Sequence, residues 1–248
     1  MNELAIVTGG GRGIGAAIAE GLARQSAHVI IAGNMPEQQE KRAAELRGLG
    51  YSADALVLDI AQFDSVDEMA QTVYSRWGAP SILVNNVGAD SIKPFLETDE
   101  GEWWETLNVN LLGAMRCCRV VVPLMQRQHY GRIINISSDA GRVGTSGQVA
   151  YSAAKAGLIG FTKALAREMV QEGITLNVVC PGPTDTPLVE EILQGPHPKL
   201  YQALNRAIPM KRFGRPAEMV PAVLMFASRE ASYMTGQTVS VSGGLTMI

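Results

Sequence analysis

The chain has 248 residues, of which 46% are hydrophobic, 18% charged and 26 glycine, with a formal net charge of −3. The charged share lies below the roughly 25% of average domains and glycine lies above its usual share of about 7%, which excludes a disordered chain. The mild acidity argues against a nucleic-acid or anionic-membrane partner, since both need a basic patch.

Domains of the α/β type often reach this length as one unit, so a single domain over residues 1–248 is expected. Cys117, Cys118 and Cys180 form no Cys-x-x-Cys pair, and His28, His129 and His197 lack metal-ligand spacing, so no metal site is expected. The first apolar run, Leu4–Val7, ends in glycines and does not read as a secretory signal. No stretch approaches the roughly 20 apolar residues of a membrane span. A cytoplasmic protein is the expectation.

In chain order, strands are predicted at Leu4–Val7, Val29–Ala32, Ala55–Leu58, Ile82–Val84, Arg132–Ile136, Thr175–Val179 and Thr238–Val241. Most are continuous apolar runs, the pattern of strands covered on both faces. Helical patterns fall between them at Ile14–Arg24, Glu37–Leu49, Ser65–Trp77, Trp103–Met125, Ala150–Gln171 and Ala217–Ser228. Strand–helix alternation of this length implies a doubly wound α/β fold, Rossmann-like, with about seven parallel strands and helices on both faces. Gly182–Pro216 breaks the rhythm, is rich in proline and lacks a strand, so a substrate loop over about residues 183–215 is expected.

The first strand runs through Thr8-Gly9-Gly10-Gly11-Arg12-Gly13-Ile14-Gly15 into a helix. Glycines there let backbone amides approach a pyrophosphate, and the helix N-terminus adds partial positive charge. The spacing of Gly9, Gly13 and Gly15 is a variant of the dinucleotide fingerprint, placed after a strand and before a helix as its mechanism requires. An NAD ribose would call for an acid after the second strand. The sequence there is Gly33-Asn34-Met35, which leaves a 2′-phosphate unrepelled and within range of Arg12, so NADP is favoured and NAD is the alternative. Asp59 ends the third strand and suits an adenine contact or an N-cap. Asn85-Asn86-Val87-Gly88 ends the fourth, either at the ligand edge of the sheet or as an ordinary turn.

Tyr151 and Lys155 are four residues apart at the start of a helix, which puts ammonium and phenol on one face. A phenol needs its pKa of about 10 lowered to act near neutrality, and a lysine charge does this; an exposed surface pair is the bland alternative. Ser138 follows a buried strand and could hold a substrate oxygen as its charge changes, with Ser137 as its competitor.

Together these motifs resemble the short-chain dehydrogenase/reductase family over nearly the whole chain. They are the Thr8–Gly15 turn, Asp59, Asn85–Gly88, Asn108–Gly113, Ser138, Tyr151 with Lys155, and Pro181–Thr186. The resemblance implies an NAD(P)-dependent alcohol dehydrogenase or ketone reductase, with Tyr151 as general acid/base and Ser138 polarising the carbonyl. It implies that Lys155 holds the nicotinamide ribose and lowers the tyrosine pKa, and that Asn110 positions a relay water. It also places Gly9, Arg12, Gly13, Ile14, Gly15, Asn34, Asp59, Ile60, Asn86, Gly88, Pro181, Gly182, Thr184 and Thr186 along the cofactor, Thr186 at the carboxamide. Val241-Ser242-Gly243-Gly244 replaces the family's usual Val-Asp-Gly-Gly.

Within the family, Ser138–Gly144, Val179–Thr186 and Val241–Met247 look like 2-hydroxycyclohexanecarboxyl-CoA dehydrogenases, though those carry the acid this chain lacks. A cyclic alcohol or hydroxyacyl substrate is therefore expected, with 3-oxoacyl-carrier-protein reductase as the neighbouring reading. Arg206, Lys211, Arg212 and Arg215 would offer a carrier protein its basic rim. Asp90, Ser91, Asp139, Arg142, Val143, Gln148 and Leu188, by closeness in sequence to Ser138, Tyr151 and the strand ends, are expected to line the pocket for an alcohol, ketone or acyl thioester. Analogy implies a homotetramer. The rival from another class is a non-catalytic NADP-binding sensor or scaffold.

Overall fold

The computed structural model describes residues 3–90, 92–187 and 198–248. The strands are β1 (Leu4–Thr8), β2 (His28–Gly33), β3 (Ala53–Val57), β4 (Ile82–Asn85), β5 (Gly131–Ile136), β6 (Ile174–Pro181) and β7 (Thr238–Val241). Between them run α1 (Gly13–Arg24), α2 (Pro36–Gly48), α3 (Phe63–Trp77), α4 (Glu100–Leu107), α5 (Gly113–Arg127), the short α6 (Ala140–Val143), α7 (Val149–Met169), α8 (Pro198–Ala207) and α9 (Val220–Ala227).

All strand pairings are parallel, in the order β3-β2-β1-β4-β5-β6-β7. The doubly wound expectation is met. Strand order reverses beside β1, which pairs with β2 through Ala5–Val29 and with β4 through Ala5–Ile82. The carboxyl ends of β1 and β4 therefore border the crevice where open α/β sheets take ligands.

Side chains alternate across β1 as a strand requires. Ala5 and Val7 enter one core with Ile18, Leu22, Ile31, Val223 and Phe226, while Leu4 and Ile6 enter the other with Val66, Met69, Cys117, Val121 and Met125. Each large side chain so buried contributes about 1.5–3 kcal/mol, and this double covering fixes the strand ends in space.

Three expectations need correction. The long segment is not all loop: α8 lies within it, and Ile208 and Phe213 beyond it are buried. Its Leu200, Leu204 and Ile208 keep a helical spacing that the prolines obscured. The third strand begins two residues earlier than predicted, because this edge strand is only partly covered and its apolar pattern is weak. Glu100–Arg127 is a continuous 28-residue helical run with a window of mean hydropathy 1.3, long and apolar enough to cross a bilayer by length and composition. Its Cys117, Cys118, Val121 and Met125 are packed in the second core, so core burial accounts for that composition. Ser91 and Leu188 lie outside the described residues.

Candidate active site and nucleotide crevice

The glycine turn is held in shape before any ligand arrives. Gly9 has φ +65° and donates to Ala32 O at 2.7 Å. Asn86 Nδ2 donates to the carbonyls of Thr8 and Gly9 at 3.1 and 3.2 Å, and Thr8 Oγ1 accepts from Asn86 N at 3.0 Å. The Asn86 side chain thus ties β4 to the turn. A Cβ on Gly15 would stand 2.1 Å from Gly9 O, so no side chain fits there. Arg12 is the N-cap of α1, whose first turn carries no acid, leaving the helix terminus suited to an anion. Gly13 faces Thr186, 3.5 Å from where its Cβ would be, so the segment after β6 lies against the turn. These features fit a dinucleotide pyrophosphate.

Around this turn the expected contacts divide. Asn34 is exposed beside Gly33. Asp59 Oδ1 accepts from Ala61 N at 2.9 Å, a local turn and not the cap of α3. The Ile60 side chain is buried against Gly113, and its carbonyl accepts from Arg116 Nη1 at 3.2 Å. Gly182 donates to Val241 O, and Thr184 Oγ1 donates to Gly182 O at 2.8 Å, so the Thr184 hydroxyl braces its own loop.

The chemical end gathers at the carboxyl edge of β4 and β5. Helix α7 starts at Val149, which sets Tyr151 and Lys155 on one face toward β5. Lys155 is 2% exposed, and its Nζ donates to Ile136 O at 3.1 Å. Ser137 Oγ donates to the Lys155 carbonyl at 2.8 Å and so serves the fold. Ser138 Oγ accepts from Ala140 N at 3.1 Å, and its hydroxyl lies near enough to the Tyr151 phenol to favour its ionisation. A Cβ on Gly88 would stand 3.2 Å from Asn110 Oδ1 and 3.3 Å from Lys155 Nζ, which places all three at one corner.

Asn110 lies in a π-helical segment, Asn108–Leu112, an irregularity common at functional sites. Its Nδ2 donates to Ala89 O at 2.8 Å and Thr106 O at 3.0 Å, and its Oδ1 accepts from Ala89 N at 3.3 Å. One donation holds the segment after β4 and the other holds α4. The side chain is thus a clamp between the two.

Electrostatics correct one expectation. The Tyr151 phenol is shifted above its ordinary range, first by loss of solvent and then by the Asp90 carboxylate, with the Ser138 hydroxyl opposing. Lys155 is pushed down to about 8, mainly by burial. The ammonium stands 5.6 Å from the ring centre and points to a carbonyl, too weak an influence to lower the phenol against desolvation.

The candidate pocket residues also separate. Gln148 Nε2 donates to Asp90 Oδ2, and both line a small cavity of about 30 Å³ with Tyr151, Phe95 and Trp103. Asp139 Oδ1 instead accepts from Ser240 Oγ at 2.6 Å, and Arg142 donates to Ser240 Oγ at 2.8 Å and to the Ile248 carbonyl. Those two brace β7, while Val143 is 61% exposed at the rim. Of the basic rim, Arg212 forms a two-point pair with Glu218 at 2.6 and 2.7 Å and Arg215 lies 3.6 Å from the same carboxylate.

Two groups escaped the sequence reading. Lys93 pairs with Glu102 at 2.8 Å beside the small cavity. Gln39, 4% exposed, lies against Gly33 and Gly11. Its signal was a polar residue at the head of the buried stripe Gln39, Ala43, Leu46.

The family model described as enoyl-(acyl carrier protein) reductase matches residues 9–246. The 3-oxoacyl-(acyl-carrier-protein) reductase of Staphylococcus epidermidis is 38% identical over 250 residues, covering 100% of both chains. The enzyme of the same name from Pseudomonas aeruginosa is 40% identical, covering 100% of this chain and 98% of its own. Among solved structures, a variant of actinorhodin polyketide ketoreductase with NADPH superposes with a TM-score of 0.94 at 31% identity, covering 98% of this chain and 97% of that one.

Proposed function

The chain belongs to the short-chain dehydrogenase/reductase family and is an NAD(P)-dependent oxidoreductase, and from that premise we propose that it reduces the ketone of a 3-oxoacyl thioester with NADPH. The observation that carries this reading is the grouping of Ser138 and Tyr151 with buried Lys155 at the crevice edge. The relatives at 38–40% identity, both named 3-oxoacyl-carrier-protein reductases, support the thioester over a cyclic alcohol. Conversely, Arg212 and Arg215 share Glu218, which weakens a basic rim for a carrier protein, so a coenzyme-A thioester is also accepted.

A reduced dinucleotide with its pyrophosphate held at the Gly9–Gly15 turn would supply a hydride to the carbonyl carbon. Tyr151, protonated at neutral pH by its raised pKa, gives its hydroxyl proton to the oxygen as negative charge develops there. Ser138 holds that oxygen by hydrogen bonding, a contact that strengthens with the charge. Lys155, charged below about pH 8, keeps positive charge near Gly88, where the nicotinamide end of the cofactor would lie. Asn110 fixes Ala89 and so the Gly88 corner.

The NADP(H) part rests on Gly33 in place of an acid and on Arg12 in the turn. It is also supported by the NADPH in the ketoreductase structure. A homotetramer in the cytoplasm completes the reading. Phe63, Tyr74, Val120, Pro123 and Leu124 line an open groove of about 420 Å³ between α3 and α5, which supports association through this side.

The test is consumption of reduced nicotinamide, followed by its absorbance, with a short 3-oxoacyl thioester against a cyclic ketone. Faster turnover of the cyclic ketone would replace the thioester assignment, and cofactor binding without turnover of any ketone would restore the sensor reading.

A further inference from the structure

Gln39 stands in the first turns of α2 with its neighbours Glu37 and Glu40 exposed, yet it is itself buried. A Cβ on Gly33 would lie 2.3 Å from Gln39 Nε2 and 3.0 Å from its Cδ, and a Cβ on Gly11 3.1 Å from Nε2. The carboxamide therefore occupies the space beside the end of β2, against the glycine turn. Its Oε1 is buried and has no hydrogen-bond partner in the protein. A buried carbonyl oxygen left unpaired by the fold asks for a donor, which a ribose hydroxyl supplies.

In dinucleotide folds the end of the second strand carries the acid that binds an unphosphorylated ribose 2′-hydroxyl. Here the strand ends in Gly33, and the position is blocked from the other side. We infer that Gln39 is a specificity-determining residue for the nucleotide: from α2 it fills the space a carboxylate on residue 33 would need and sets a neutral amide there in its place. A 2′-phosphate then meets no carboxylate at this corner. The inference rests on the NADP(H) reading above, and it adds that cofactor choice is encoded by the pair Gly33–Gln39 and not by Gly33 alone.

The experiment measures dissociation constants of NADPH and NADH by nicotinamide fluorescence on the full chain, with Tm as a check of folding. Gln39→Glu changes charge at nearly constant shape, and it should lower the preference for NADPH by about tenfold or more. Gly33→Asp alone should gain less than about threefold in NADH affinity, because its carboxylate must dislodge Gln39. With Gln39→Ala added, the gain should reach about tenfold, a clear departure from additivity. Should Gly33→Asp fail to fold, Gln39→Glu and Gln39→Ala still decide, since neither adds bulk. An unchanged cofactor preference in Gln39→Glu overturns the proposal, and additive effects of Gly33→Asp and Gln39→Ala overturn the exclusion. A wild-type preference for NADH overturns the NADP(H) reading itself, an outcome visible before any variant is made.

Discussion

Lys155 Nζ stands 5.6 Å from the centre of the Tyr151 ring and donates its hydrogen bond to Ile136 O, not to the phenol. The two side chains share a helix face, as their spacing requires, but burial sets their protonation in opposite directions. Tyr151 stays neutral well above neutrality, and Lys155 gives up its proton at about 8. That combination suits a proton donor, hence reduction of a ketone.

The first prediction concerns pH. For ketone reduction, kcat/KM should be level below about 8 and fall above it, as Lys155 loses its charge. Stability should move the other way. The unfolded lysine keeps its proton up to 10.5, whereas the folded one releases it near 8, so the folded state binds fewer protons in that window and stability rises with pH across it. Lys155→Met should abolish both trends, and pH-dependent kinetics with thermal melts would show whether it does.

Tyr151→Phe removes the transferable proton and leaves the ring in place. Turnover should fall by about 10²–10⁴-fold while NADPH affinity changes little, as titration of cofactor fluorescence would report. Ser138→Ala should lower kcat by about 10²–10³-fold through lost stabilisation of the oxygen. A full-rate Tyr151→Phe enzyme would remove the proton-donor assignment.

Gly15→Ala probes the turn. The added methyl would stand 2.1 Å from Gly9 O and 2.5 Å from Asn86 Nδ2, so the backbone must shift. The variant should bind NADPH at least about tenfold more weakly. Calorimetric titration measures this directly, and Gly48→Ala, where nothing lies within 4 Å of the new atom, is the control.

Asn110→Ala should affect stability and chemistry together. It orphans the carbonyl of Ala89, bonded at 2.8 Å, and loosens the Gly88 corner. Removing one partner of a buried hydrogen bond costs about 1–3 kcal/mol, visible as a lower Tm. Loss of kcat beyond that of Asn135→Ala, whose buried amide joins Asn85 and Thr162 and touches neither Gly88 nor Ala89, would mark Asn110 as a positioning residue.

Much of the fold is legible in the sequence. Strand positions followed from apolar runs because both faces of the sheet are covered, and β7 is observed at Thr238–Val241 as predicted. Helix α8 was hidden because its first residue is a proline in a proline-rich stretch, though proline is well suited to a helix start. Asp139 and Arg142 were misjudged because nearness in sequence to Ser138 does not say which way a short helix turns them; both turn to Ser240, about a hundred residues away.

The sequence by itself determined the alternation of strands and helices, the glycine turn and the order of Ser138, Tyr151 and Lys155, because local backbone rules and i,i+4 spacing act within a few residues. Only the tertiary structure decided which polar groups act and which brace. Ser137 or Ser138, Asn110 as clamp, the phenol raised and not lowered, and Gln39 against Gly33 all depend on burial and on partners distant in the chain. Desolvation and exclusion of atoms from shared space are properties of packed neighbours, and a linear pattern does not contain them.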